Sequence, residues 1–218
     1  MNKSKPEQEF LLQQVSKAHY ALQARRCAYL FYFQRKAETL KMDFTIKRID
    51  AARFNDINIP NEPFSIIGKL YPEYNGTWNY HVSLYPNEQR YEMTFPNEHY
   101  DYALLSSDSF FVGAYTENEA CIGLAIFQKS CNKYLYLYDL KVNAKYRHNG
   151  IGKKLIEEGK KIATANGYKG IYTQAQDNNL IACKFYLKTG FEIGGIDTMF
   201  YNGTAQEGKI DIIFYLNC

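Results

Sequence analysis

Residues Tyr134–Gly152, YLYLYDLKVNAKYRHNGIG, decide the reading of this chain. A strand rich in tyrosine and leucine passes through a short polar loop into Arg147-His148-Asn149-Gly150-Ile151-Gly152, and a lysine-rich helix begins at once. Two glycines remove β-carbons, so successive backbone N–H groups can turn inward on an anion at the start of a helix, where the dipole also favours negative charge. A P-loop is excluded. Gly152-Lys153 matches the end of that pattern, but Arg147 stands where the first glycine is needed and Lys154 where Ser or Thr is needed. A dinucleotide fingerprint is excluded as well, because position 155 is Leu. The competing reading is an ordinary strand-to-helix turn that uses glycine only for geometry.

The residues downstream add a second pattern. Ile151, Leu155, Ile156, Ile162 and Ala163 form one apolar helix face among lysines and glutamates. Asn166-Gly167 closes that helix in the manner of a left-handed cap. A short strand is expected near Gly170–Gln176, followed by DNNLIACKFYLKTGF over 177–191. Asp177 or Asn178 is placed to cap this second helix, on which Ala182, Phe185 and Tyr186 lie close together by i, i+3, i+4 spacing.

The two segments together resemble the GNAT acetyltransferases. Their acetyl-CoA loop reads R/Q-x-x-G-x-G/A, and their second motif reads N-x-x-A-x-x-F-Y-x-K-x-G-F. The run from Gln176 to Tyr186, with Gly190-Phe191, Ile193-Gly194 and Asp197-Thr198-Met199, narrows the likeness to the streptothricin acetyltransferases. Pro60–Lys69 and Trp78 resemble the amino-terminal part of the same enzymes, so the similarity runs from about residue 43 to the carboxyl end.

The resemblance implies an α+β GNAT fold, with a mixed, mostly antiparallel central sheet flanked by helices. It implies an N-acetyltransferase with acetyl-CoA as co-substrate and no metal. The acceptor would be a small cationic amine, first the β-lysine amine of streptothricin, which would confer antibiotic resistance. By the same resemblance, backbone amides of Leu140, Lys141 and Val142 hold the acetyl and pantetheine groups. Arg147, His148, Asn149, Gly150, Ile151, Gly152 and Lys153 surround the pyrophosphate, Asn179 bonds the cofactor arm, and Tyr186 protonates the leaving sulfur. Tyrosine suits that last role because its pKa near 10 lies close to that of a thiol.

The base is the gap. Relatives carry Glu-Asp where this chain has Tyr138-Asp139. Asp139 is left to accept the amine's proton through a water or to bind the ammonium beforehand, with a purely structural carboxylate as the rival. Strand alternation separates residues 138 and 139 onto opposite faces unless the strand is bulged there, as strands of this family commonly are. Residues 85–109 also lack a dense acidic run for a polycation. Polyamine or protein amino-group acetylation, or a silent domain that only binds acyl-CoA, therefore stand as alternatives.

The remaining sequence bounds this reading. A chain of 218 residues accommodates one domain with a full core. The five cysteines form no Cys-x-x-Cys pair and the histidines are scattered, which speaks against a metal site and for a reducing cytoplasm. Cys183, mid-helix with no histidine nearby in sequence, reads as a buried thiol. Most of the 20 tyrosines read as packing. No apolar run approaches the roughly 20 residues of a membrane span, no secretory signal is seen, and neither nucleic acid nor membrane is expected as a partner. A homodimer is compatible.

Residues 1–41 carry a net +5 and residues 42–218 a net −2. This basic, helix-compatible leader has a ragged apolar face. It reads as dispensable, or as lying upstream of a true start at Met42, ahead of the acetyltransferase domain at 42–218. Further on, Phe44–Ile49 reads as a first strand and Asp56–Tyr80 as turns and short helices, a region that the GNAT resemblance makes part of the acceptor pocket. Phe110–Tyr115 and Cys121–Phe127 read as a hairpin that extends into 134–142, and two closing strands are expected at about 191–201 and 209–217.

Overall fold

The computed structural model describes residues 42–218; the expected leader helix and Cys27 lie outside the described residues. Alternating β1 (Thr45–Ile49) is followed by a 3-10 segment (Ala51–Asn58), which Asp50 opens by accepting from the Ala52 N–H at 3.0 Å. Short β2 (Phe64–Ile66) precedes β3 (Gly68–Tyr74) and β4 (Trp78–Leu84). These last two form a full antiparallel hairpin, not the turns and short helices expected there. Asn75-Gly76, with Gly76 at φ +98°, is the turn that makes it. β5 (Tyr91–Met93) pairs with β2, and a single helical turn, α1 (Tyr102–Leu105), follows, capped by Asp101.

The main sheet comes next. It takes β1, β6 (Ser109–Tyr115), β7 (Cys121–Gln128), β8 (Tyr134–Val142), β9 (Gly170–Gln176), β10 (Glu192–Asp197) and β11 (Asp211–Asn217). Their order is β1-β6-β7-β8-β9-β11-β10. Every neighbouring pair is antiparallel except β8 and β9, which the crossover helix α2 (Ile151–Ala165) connects in parallel. The second helix is α3 (Leu180–Thr189). This is the α+β architecture expected, with closing strands shorter than 191–201 and 209–217.

Each face of the sheet has its own cover. Ile151, Leu155, Ile156, Ile162 and Ala163 of α2 are buried, as their spacing requires, and Gly159 is buried with them. A Cβ on Gly159 would stand 2.2 Å from the Phe127 ring, so glycine permits the helix to lie this close. On the opposite face Ile49, Ile57, Phe111, Tyr115, Leu124 and Ile126 cluster, with Tyr100, Tyr102 and Leu105 packed against them. Each such fully buried side chain contributes about 1.5–3 kcal/mol. The β3–β4 hairpin is fastened to the sheet at Asp177: its C=O accepts from Leu70 N–H at 2.9 Å, and Lys69 Nζ lies 2.6 Å from its carboxylate. Among the described residues no helix is long and apolar enough to cross a membrane.

Candidate active site

The site is made by two strands parting. β8 and β9 pair only from Tyr134↔Gly170 to Tyr136↔Tyr172. At the end of that ladder the Thr173 hydroxyl donates to Leu137 C=O at 2.9 Å, and beyond it no pairing of β8 with β9 continues. On its other side β8 stays paired with β7 through Val142. Asn143 N–H donates to Ile122 C=O, and hydrogen-bonded pairs alternate along an antiparallel ladder. The backbone groups of Asp139 and Lys141 therefore face β7, and those of Leu140 and Val142 turn to the open edge. The Val142 carbonyl is taken by Arg147 Nε at 3.0 Å. Of the three residues expected to offer backbone amides, Leu140 and Val142 point outward and Lys141 does not.

The ladder slips between Ile126 and Phe127, opposite a bulge at Tyr138: Ile126 faces Asp139 and Phe127 faces Leu137. A bulge places two consecutive side chains toward one face. Tyr138 packs on Tyr136 and Tyr100, each at 5.9 Å between ring centroids, while the Tyr100 hydroxyl donates to Asp139 Oδ2 at 3.0 Å. Lys141 Nζ lies 3.1 Å from Asp139 Oδ2, and its other partner is Glu98 Oε2. Asp139 is 14% exposed and Lys141 10%. Burial raises the Asp139 pKa above its ordinary value, and Lys141 opposes that rise. Burial also acts upward on Glu98, but hydrogen bonds from Lys141 and Asn61 outweigh it and leave its pKa lowered.

Tyr186 lies on the other side of the opening. On α3 it is 8% exposed, and its ring packs on Phe185, Phe191 and Phe214 at 5.3–5.5 Å. Burial lifts its pKa well above 10, the Thr173 hydroxyl opposes that, and the Asp139 charge adds to it. The phenol is therefore held protonated, a donor at neutral pH.

At the end of β8 the loop opens to solvent. His148, Asn149, Gly150 and Lys153 are exposed. His148 and Gly150 have φ of +65° and +79°, and no side chain caps α2. Lys154 N–H bonds Gly150 C=O, so Ile151, Gly152 and Lys153 present N–H groups with no intrahelical acceptor. The two glycines serve different ends. Gly150 supplies the left-handed turn, and a Cβ there would meet nothing within 4 Å; a Cβ on Gly152 would stand 3.0 Å from the Phe185 ring, so this glycine admits α3. Arg147 is turned away from the loop, with Nη1 on Pro63 C=O at 3.1 Å and Nη2 3.5 Å from Glu62. Asn149 Nδ2 bonds the carbonyls of Tyr146 and Arg147.

The cap of α3 is Asn179, not Asp177 or Asn178. Its Oδ1 accepts from Ala182 N–H at 3.2 Å, which leaves Nδ2 as a donor. Asp177 is committed elsewhere, its N–H to Ile210 C=O and its carboxylate to Lys69. Cys183 is fully buried and burial pushes its thiol up to about 12, so it is inert. Glu98 and Tyr100 escaped the sequence reading. His99 between them has φ +48°, unusual for a residue with a side chain, and the neighbours on its two sides reach Lys141 and Asp139.

Comparison with known proteins places the family and the fold. Streptothricin acetyltransferase A of Bacillus subtilis (strain 168) is 29% identical over 171 residues, 78% of this chain and 98% of the relative. A crystal structure of a Bacillus anthracis str. Ames protein assigned as a streptothricin acetyltransferase, in complex with acetyl coenzyme A, superposes with a TM-score of 0.71 at 30% identity. It covers 81% of this chain and 99% of its own. Nourseothricin acetyltransferase shares the fold at 20% identity, with a TM-score of 0.67, over 80% of this chain and 98% of its own. Residues 69–191 match the acetyltransferase (GNAT) family, and this chain belongs to that family as an N-acetyltransferase.

Proposed function

We propose that this acetyl-CoA-dependent N-acetyltransferase acylates a primary amine of a small cationic acceptor, first the β-lysine amine of a streptothricin-type antibiotic. The observation that carries the proposal is the opening where β8 parts from β9, with the buried Asp139, held by Tyr100 and Lys141, on β8 and an anion-ready helix start at the end of that strand. Near full-length likeness to two proteins named for streptothricin supports the choice of acceptor.

The residues suit the co-substrate. The free N–H groups of Ile151, Gly152 and Lys153 are donors for a pyrophosphate at a helix N-terminus, and exposed His148, Asn149, Gly150 and Lys153 leave it room. Leu140 N–H and Val142 N–H, on the unpaired edge of β8, are donors for an amide-bearing arm, as is Asn179 Nδ2. Acetyl-CoA supplies an activated acyl thioester. Asp139, with its proton affinity raised by burial, takes the proton of the attacking amine, directly or through a water. Tyr186, kept protonated, gives its phenolic proton to the departing sulfur. The tyrosine wall of Tyr100, Tyr136 and Tyr138 offers ring faces to a cation.

The test is thiol release from acetyl-CoA in the presence of streptothricin, spermidine or lysine-bearing peptides, together with streptothricin tolerance of cells producing the protein. Release with streptothricin is expected. Acetylation of spermidine or peptides alone would replace the acceptor. Binding of acetyl-CoA without acetylation of any amine would make the chain a silent acyl-CoA-binding domain.

A further inference from the structure

The loss of the expected glutamate at Tyr138 leaves one carboxylate on β8, yet the structure brings a second to the same place. Glu98 arrives from the segment between β5 and α1 and meets Lys141, whose ammonium also contacts Asp139 at 3.1 Å. Glu98 is fixed from behind. Asn61 Nδ2 donates to Glu98 Oε1 at 3.0 Å and to Pro96 C=O at 2.6 Å, and Asn97 Oδ1 accepts from Asn61 N–H at 2.7 Å. The next residue, Glu62, holds Ala144 N–H and lies beside Arg147, so the loop that orients Glu98 is tied to the end of β8. Lys141 Nζ also lies 5.4 Å from the centroid of the Tyr100 ring. Two carboxylates and an aromatic face around one ammonium are the components of a primary-ammonium binding site.

We propose that Glu98 and Asp139 together form the acceptor's ammonium seat, and that Lys141 is its resident occupant, displaced when the acceptor enters. This rests on Asp139 lying at the acceptor end of the site. The tether makes displacement feasible: lysine is a point charge on a flexible four-carbon stem, whereas an arginine fork would grip both carboxylates. Two carboxylates carry two charges and Lys141 answers one, so the occupied seat still attracts a cation. Lys141 then sets a threshold that favours acceptors with more than one ammonium group over simple monoamines.

The test is the order of KM for streptothricin among wild type, Lys141→Met and Lys141→Arg, with Glu98→Gln alongside. Unchanged acetyl-CoA affinity by calorimetry identifies properly folded variants. A resident competitor requires KM to fall about tenfold in Lys141→Met and to rise in Lys141→Arg, and Glu98→Gln should raise it about tenfold. A structural ion pair requires the reverse: Lys141→Arg near wild type and Lys141→Met impaired. That order, or a flat one, overturns the seat. If streptothricin is refused and spermidine is acetylated, the acceptor proposed above is wrong, and the same order is read on spermidine. If neither amine binds wild type or Lys141→Met by calorimetry, the seat itself is refuted.

Discussion

Replacing Tyr186 with Phe separates a proton donor from a core aromatic, because the two roles fail in different quantities. The ring is held by Phe185, Phe191 and Phe214, all within 5.5 Å between centroids, and phenylalanine keeps those contacts. What is lost is one hydroxyl in an environment where only 8% of the residue is exposed. As a structural hydrogen bond it contributes about 0.5–1.5 kcal/mol. In a protein of this size that corresponds to a drop in Tm of roughly 1–6 °C. As a general acid it contributes about 10²–10⁴-fold in rate, equivalent to about 3–5 kcal/mol of barrier. The catalytic loss exceeds the structural one by a factor of several, so the measurements do not overlap. Thermal unfolding, calorimetric titration with acetyl-CoA and steady-state thiol release would be run on the same preparation. The expected result is near-normal cofactor affinity, a small change in Tm and kcat reduced by about 10²–10⁴-fold. Turnover within a few-fold of wild type would return Tyr186 to the core and leave the reaction without its assigned acid.

Asp139→Asn is expected to lower kcat/KM by about 10²-fold or more and to abolish the acid limb of its pH profile, because the rate falls as pH drops through the raised Asp139 pKa. The sign for stability is opposite: a carboxyl whose folded pKa is raised penalises folding above that value, so the variant should melt higher than wild type at neutral pH and lose the advantage in acid. In Gly150→Ala a Cβ meets nothing within 4 Å but sits at φ +79°, costing about 1–2 kcal/mol; acetyl-CoA affinity should fall while the fold survives, and unchanged affinity by calorimetry would remove the loop from the cofactor site. A chain begun at Met42 should keep its Tm and its acetyl transfer, since the described domain at 43–218 is a compact unit by itself, and a large fall in either would show that the leader contributes to it.

What the sequence revealed and what it hid follow from how far each feature reaches along the chain. The apolar face of α2, the strand at Gly170–Gln176 and the glycine turns are written in local spacing, and they stand where that spacing puts them. The β3–β4 hairpin was hidden by its own composition: Pro, Asn and Gly between 56 and 80 suggest turns, although Asn75-Gly76 is flanked by strand residues. Setting aside Asp177 as the cap requires knowing that Ile210, just before β11, and Lys69 and Leu70 of β3 claim it. The division runs through the site as well. The side proposed for the cofactor draws on one strand, one loop and two helix starts that lie within 134–180, so the sequence motifs alone point to it. Its acceptor side depends on a bulge that a period of two cannot express, and on Glu98, 41 residues before Asp139 in a stretch with no regular element. A missing glutamate at position 138 therefore looked like lost acidity, when the folded chain supplies a carboxylate from elsewhere and places a lysine between the two. On the proposed seat, acceptor choice rests on long-range contacts among Asn61, Glu98, Tyr100 and Lys141, which is where variants that change substrate without disturbing acetyl-CoA should be sought.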